Sequence, residues 1–224
     1  MDTSPTLTRR EWLLVGGLLL LALVPSVAGG VRIGEIATGA SQTPQNARFL
    51  QMPLPIVVHV VAALVYSVVG AFQFLPSVRR WHLAWHRFAG RFLLVPAGLI
   101  VAASGLWMTA LYQSPASDGT ALTVSRYVVG GLTLTFTALG VSAIVRRDVA
   151  AHGAWMLRAY ALAMGAGTQV LTSGPFLLLF GPPDVFWRVV QMDAGWIINV
   201  VVAEWIISRR RTVARRDRAA TVTA

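Results

Sequence analysis

Six stretches of the sequence are apolar for about 20 residues each, and this length constrains the fold more than any other feature. An α-helix rises about 1.5 Å per residue, so such a stretch crosses the roughly 30 Å of hydrocarbon in a bilayer. The stretches are continuously apolar and lack the alternating pattern of membrane β-strands. The sequence therefore predicts an all-α integral membrane protein, a bundle of six transmembrane helices at residues 12–28, 55–75, 88–111, 126–145, 153–173 and 187–207.

The composition agrees with this fold class. Of the 224 residues, 55% are hydrophobic and only 12% are charged, and the mean hydropathy is +0.63. A soluble domain has about 25% charged residues. The chain has no cysteine, which excludes disulfides and thiolate metal sites. Its net charge of +10 comes from arginines that lie mostly between the apolar stretches, and this placement does not indicate a nucleic-acid partner.

The arginines divide unequally between the two sides of the membrane. Six spans put residues 9, 10, 79, 80, 87, 91, 146, 147, 209, 210, 211, 215, 216 and 218 on one side and residues 32, 48, 126 and 188 on the other. Cytoplasmic loops carry the excess of basic residues. We therefore expect both termini to be cytoplasmic, with an N-terminal segment at 1–11, a single transmembrane domain at 12–207 and a basic tail at 208–224. Because the first stretch ends in Ser26-Val27-Ala28, a cleavable signal peptide is the alternative interpretation of it.

Glycine, proline and polar residues mark the predicted connections. We expect loops at residues 29–54 and 112–125, and an arginine-rich loop at 79–91. Pro96 is expected to kink the third helix. Residues 174–187 contain Gly174-Pro175 and a second glycine–proline run from Gly181, which predicts a bent interfacial or re-entrant segment.

Polar residues within the helices form two predicted layers. The inner layer, near the cytoplasmic face, is a candidate functional cluster and consists of Gln73, His86, Arg87, Arg91, His152, Arg158 and Glu204. The outer layer consists of His59, Arg126 and Asp193. Ionisable groups at membrane depth are costly, and they usually pair with one another or serve a pathway. We expect Arg158 and Glu204 to form an ion pair, and His86 and His152 to face one another across the interior of the bundle.

Several of these residues recur in a spaced pattern. The pattern is His59 and Gln73, then His86-Arg87-x-x-Gly90-Arg91, then His152-x-x-Trp155-Met156-x-Arg158. Over residues 55–207 it resembles a bacterial family of predicted multi-pass membrane proteins that is catalogued as a domain of unknown function, DUF2306. The resemblance implies a multi-pass protein of the bacterial cytoplasmic (inner) membrane and a set of polar positions to test, and it brings no established reaction.

Three functions fit the predicted polar layers. The favoured one is a structural or accessory membrane subunit whose polar cluster fixes the register of the helices. The second is electron transfer through haem b, with His86 and His152 as axial ligands. The third is a small-solute or proton-coupled transporter. No catalytic motif decides whether the protein is an enzyme.

The remaining polar residues of the 79–91 loop favour anchoring over chemistry. Trp81, Trp85 and Arg87 lie near a helix end, where such side chains anchor a protein at the membrane surface. His82 and His86 would share a helix face, but no carboxylate lies in that loop, and we predict no metal site. The lipid bilayer is the predicted partner, and the sequence predicts neither a protein partner nor an oligomeric state.

Overall fold

The structure is a computed structural model that describes residues 7–222, with side chains to residue 213. Within these residues it contains helices and no β-strand. Six helices are long and apolar enough to cross a membrane, which confirms the predicted all-α six-span bundle. We number them spans 1 to 6: Arg9–Thr38, Pro53–Gln73, Leu83–Leu111, Gly119–Val145, Val149–Phe180 and Val185–Val213.

The spans pack mainly against their neighbours in the sequence. Spans 2, 3, 4 and 5 contact one another in order, span 6 packs against spans 4 and 5, and span 1 packs against span 2 and the second half of span 5. The centre of the bundle is a buried cluster contributed by spans 1, 2, 3 and 5, namely Ala22, Tyr66, Leu94, Ala97, Met156, Tyr160 and Met164.

The two ends of the bundle differ in their arginine content. One end, which we call the arginine-rich end, holds the start of span 1, the 74–82 connection, the 146–148 turn and the arginines that begin at Arg209. Glu11 ties this end together, because its carboxylate accepts hydrogen bonds from the Ser77 backbone N–H at 2.8 Å and the Ser77 hydroxyl at 2.7 Å. Glu11 also completes a capping box with Thr8 at the start of span 1. The opposite end, the arginine-poor end, holds the connections at 39–52, 112–118 and 181–184.

The predicted loop at residues 29–54 is wrong in its first part. Span 1 continues as a helix to Thr38, and a further short helix occupies Ala47–Gln51. Gly29 serves packing rather than chain reversal, since a Cβ at this position would lie 2.8 Å from Val60 Cγ1 of span 2. The span ends instead at Gly39, whose φ of 63° is the left-handed conformation typical of a helix terminus.

Span 3 begins earlier than residue 88 and contains an irregularity that the sequence did not predict. The 79–91 segment is mostly helical, as Pro76–Trp81 and Leu83–Ala89, and a π-helical turn at Gly90–Leu94 leads into Val95–Leu111. Pro96 lies in the first turn of this last helix, directly after the π-helical turn. The departure from regular helix is therefore the π-turn, and the proline follows it.

The later spans also extend beyond their predicted limits. Span 4 begins at Gly119, within the predicted 112–125 loop. The predicted re-entrant segment at 174–187 is wrong, because the helix Gly165–Phe180 continues through Pro175 and the connection comprises only residues 181–184. The helix that contains span 6 runs on to Val222, so most of the predicted 208–224 tail is helical.

Span 5 is interrupted at Met164, between the helices Val149–Ala163 and Gly165–Phe180. Asn199 of span 6 stabilises the interruption, since its Nδ2 donates to the carbonyl of Ala161 at 3.0 Å. Its Oδ1 accepts a hydrogen bond from the Thr168 hydroxyl at 2.8 Å, on the other side of the break. One side chain of span 6 therefore joins both halves of span 5.

Candidate functional site

A cavity of about 400 Å³ lies in the arginine-poor half of the bundle. Spans 2 to 6 line it together with the short helix Ala47–Gln51. Its apolar lining includes Ile56, Val101, Ala102, Met108, Val129 and Leu162, and its polar lining includes Arg48, His59, Thr109, Tyr112, Arg126, Thr133, Gln169 and Trp196. A mostly apolar chamber with a few converging polar groups is the usual form of a small-molecule site.

Two guanidinium groups lie at the solvent side of this cavity. Arg48 donates from Nη1 to the Gln113 carbonyl at 3.2 Å and lies over the Phe49 ring, 4.7 Å from Cζ to the ring centre. Its buried Nε has no hydrogen-bond partner within residues 7–213. Burial lowers the pKa of the Arg48 guanidinium, while the nearby Asp118 carboxylate acts in the opposite direction. Arg48 is therefore a partly desolvated cation with donor capacity to spare.

Arg126, the second guanidinium, is held by a buried carboxylate behind the cavity. Asp118 is 2% exposed and pairs with Arg126 at 2.7 Å and with Arg188 of span 6 at 3.3 Å. These contacts join the 112–118 connection to spans 4 and 6. Asp118 itself does not line the cavity, so it orients Arg126 without placing a negative charge on the cavity wall.

His59 lies at the inner end of the cavity. Its Nδ1 is 3.0 Å from the hydroxyl oxygen of Ser104, and that hydroxyl donates to the carbonyl of Ile100. When the hydroxyl proton is directed to this carbonyl, the imidazole donates from Nδ1 and its Nε2 carries a lone pair. His59 also lines a second cavity of about 110 Å³, which reaches Pro25 of span 1 and Met164 at the break in span 5.

Gln169 and Trp196 form the wall contributed by spans 5 and 6. Gln169 donates from Nε2 to the carbonyl of Met192 at 3.0 Å, which fixes the orientation of its amide. Trp196 packs against Gly165, where a Cβ would lie 2.2 Å from Trp196 Cδ1. The helix start after the break in span 5 is thus shaped to admit the indole ring.

In the arginine-rich half, the predicted ion pair between Arg158 and Glu204 is confirmed. The contact is bidentate, with Nε and Nη2 of Arg158 at 2.5 and 2.8 Å from the two carboxylate oxygens. Arg158 also lies over the Trp155 ring, 4.5 Å from Cζ to its centre. The pair joins spans 5 and 6 and leaves Arg158 only 15% exposed.

Within residues 7–213, no hydrogen bond or ion pair joins the other members of the predicted inner cluster, and the predicted approach of His86 to His152 stays a prediction. His152 donates from Nδ1 to the carbonyl of Gly140 at 2.9 Å, and this bond joins spans 4 and 5. Gln73 packs against Gly90, and the buried Nδ1 of His86 has no hydrogen-bond partner within residues 7–213. Arg87 and Arg91 are exposed. Neither His86 nor His152 lines the two cavities described above, so the cavities give the haem hypothesis no support.

The predicted outer layer separates into two environments. His59 and Arg126 line the cavity, whereas Asp193 lies on span 6 and accepts a hydrogen bond from the Ser125 hydroxyl at 3.0 Å. Its second oxygen, Oδ1, is buried without a partner in the described part of the chain. Sequence reasoning treated Arg48 only as a topology signal and did not single out Asp118. The available signal was the presence of arginines on the side of the membrane that was predicted to be arginine-poor. The topology does not account for these arginines.

Comparisons with known proteins agree with this architecture. No solved structure matches the chain. The chain is similar to the bacteriochlorophyll synthase 44.5 kDa chain of Rhodobacter capsulatus, with 28% identity over 189 residues. The match covers 80% of this chain and 42% of that protein, so the chain spans less than half the length of this relative. Residues 56–207, which hold spans 2 to 5 and most of span 6, match the family described as predicted membrane protein (DUF2306), and the chain therefore belongs to that family.

Proposed function

We propose that the protein binds a small molecule with an anionic group and an apolar body in the cavity of the arginine-poor half. The observation that carries this proposal is the charge of the cavity wall. Arg48 and Arg126 line it, and within residues 7–213 no aspartate or glutamate does. In a chamber partly closed to water, such cations favour an anion more strongly than they would on an open surface.

The remaining lining supports a ligand with two unlike parts. A carboxylate at the guanidinium groups would leave its body among Ile56, Val101 and Leu162, where burial of apolar surface stabilises binding. Arg48 has an unbonded Nε to offer. A volume of about 400 Å³ lies in the range of sites for small organic ligands.

We further propose that the cavity opens to the outer face of a bacterial inner membrane. The excess of arginine at the opposite end supports a cytoplasmic location for that end. Reporter fusions after residues 40 and 120 should then be active outside the cytoplasm, and fusions after residues 80 and 215 inside it. The reverse pattern would place the cavity on the cytoplasmic face.

Binding can be tested with benzoate as the anionic probe and benzamide as its neutral counterpart. Ligands that bind the folded state raise the midpoint of thermal unfolding. In detergent, benzoate should raise the midpoint more than benzamide, and Arg48→Gln should remove the difference. Arg146→Gln is the matched control, because Arg146 is exposed at the opposite end of the bundle, donates to the Ser142 hydroxyl and does not line the cavity.

A second variant addresses the volume of the cavity. Ala102 is buried in its wall, so Ala102→Leu should fill part of the chamber and weaken the effect of benzoate while both arginines remain. Equal effects of benzoate and benzamide on the wild-type protein would reject anion binding. That result would favour the structural or accessory subunit that the sequence also allowed.

A further inference from the structure

Three polar side chains of span 2 lie on one face at intervals of seven residues. They are His59, Tyr66 and Gln73. Seven residues make nearly two helical turns, so the three side chains form a stripe about 21 Å long. The stripe runs from the cavity, which His59 lines, to the last residue of span 2 at the arginine-rich end.

Each of these side chains packs against a glycine of span 3. A Cβ at Gly105 would lie 3.6 Å from His59 Cε1, one at Gly98 would lie 2.6 Å from Tyr66 Cε2, and one at Gly90 would lie 3.8 Å from Gln73 Oε1. The two helices are antiparallel, so the glycines follow in reverse order. We call these three polar residues and three glycines the seam.

The π-turn keeps the seam in register. Gly105 and Gly98 are seven residues apart, which matches the spacing on span 2, but Gly98 and Gly90 are eight apart. A π-helical turn accommodates one additional residue in a helix. The turn at Gly90–Leu94 therefore absorbs the extra residue and brings Gly90 opposite Gln73. Without this π-turn, a regular helix would not bring Gly90 opposite Gln73.

Two side chains of the seam are buried, and each has a polar atom without a hydrogen-bond partner in the described part of the chain. Tyr66 and Gln73 are 1% and 4% exposed, and neither the Tyr66 hydroxyl nor Gln73 Nε2 has a hydrogen-bond partner within residues 7–213. His86 lies one turn before Gly90 on span 3, and its Nδ1 is buried without a partner in the described part of the chain. Buried polar groups in such positions are commonly bonded to internal water, because leaving them unpaired is costly.

We propose that the seam is a hydrated proton path between the cavity and the arginine-rich end. His59, the Tyr66 hydroxyl and His86 can each accept one proton and release another, while the Gln73 amide orients water without titrating. At every step one O–H or N–H bond forms on the acceptor as one breaks on the donor, so no other reactant is required. This role is independent of anion binding in the cavity.

Proton flux into vesicles tests the path. The full chain is reconstituted into liposomes that contain pyranine, a pH-sensitive dye, with potassium and valinomycin to balance charge. After an external acid step, the wild-type protein should acidify the interior faster than protein-free vesicles do. Tyr66→Phe, which keeps the ring and removes the hydroxyl, and Gln73→Leu should reduce the rate to that of protein-free vesicles. Tyr127→Phe is the matched control, because Tyr127 is exposed on span 4 and should leave the flux unchanged.

Each outcome decides the proposal. Wild-type flux equal to that of protein-free vesicles, or full flux in either seam variant, would overturn it. If Gln73→Leu does not fold, Tyr66→Phe decides alone, since it preserves the packing against Gly98. Benzoate should still raise the unfolding midpoint of Tyr66→Phe, so loss of the proton path and failure of anion binding give different results.

Discussion

The two ends of the bundle hold their charges in different ways. At the arginine-poor end, Asp118 gathers Arg126 and Arg188 around one buried carboxylate, and Arg126 also lines a cavity. At the arginine-rich end, Arg87 and Arg91 are exposed, and the described pairing at depth is that of Arg158 with Glu204. The difference separates exposed arginines at the arginine-rich end from a few arginines at the arginine-poor end that a buried carboxylate holds or that line the cavity.

The largest loss of stability is expected at the arginine-poor end, from Asp118→Asn. The substitution keeps the shape and removes the charge that two guanidiniums share, so it should lower the free energy of unfolding by about 3 kcal/mol. Chemical denaturation in mixed micelles measures it. An unchanged free energy of unfolding would mean that the three charges contribute no net stability.

Glu204→Gln tests the arginine-rich half. Because the Glu204 side chain is 46% exposed, we expect a smaller loss than at Asp118, about 2 kcal/mol, measured in the same way. Arg158→Gln should cost a similar amount, and the double variant should regain part of the loss. Strictly additive losses would show that the two side chains do not interact.

Glu11→Gln should lower the free energy of unfolding by less than Glu204→Gln does. The Glu11 carboxylate accepts from Ser77 and Thr8, and the amide keeps one acceptor oxygen but loses the charge, which corresponds to about 1 kcal/mol. The matched control is Glu35→Gln, since the pairing of Glu35 that the described side chains show is with Arg32 on the same span. Thermal unfolding in detergent should separate the two variants, and equal midpoints would remove any special role for Glu11.

Arg32→Gln should have the smallest effect. Arg32 and Glu35 are 30% and 27% exposed and three residues apart on one helix, and pairs of this kind contribute less than about 0.5 kcal/mol. A loss of stability as large as that from Asp118→Asn would contradict the distinction between the buried charges around Asp118 and a partly exposed pair such as Arg32 and Glu35.

The spans could be predicted from the sequence because the length of an apolar stretch is a local property. It also predicted the contact between Arg158 and Glu204, since two opposite charges at the same depth have few other partners. The limits of the spans were harder to predict. Gly29 resembles a helix terminator in sequence, yet it lies within span 1 because the side chain of Val60 occupies the space beside it.

The cavity could not be predicted, for a related reason. Its volume depends on how small residues such as Ala102 and Gly105 leave space between spans, and no local pattern encodes that space. The pairing of Asp118 with Arg188 joins residues 70 positions apart. The register of the seam likewise depends on a π-turn, and Pro96, which predicted a kink in this helix, lies just after that turn rather than within it.

The break in span 5 has a consequence for biogenesis. The Ala161 carbonyl lies in the last turn before the break, where carbonyls have no partner within their own helix, and it accepts its hydrogen bond from Asn199, 38 residues later. The ribosome releases the chain from its N-terminus, so Ala161 reaches the membrane before Asn199 does. In hydrocarbon an unpaired carbonyl is costly. We therefore expect span 5 to be stably inserted only together with span 6, as a helical hairpin.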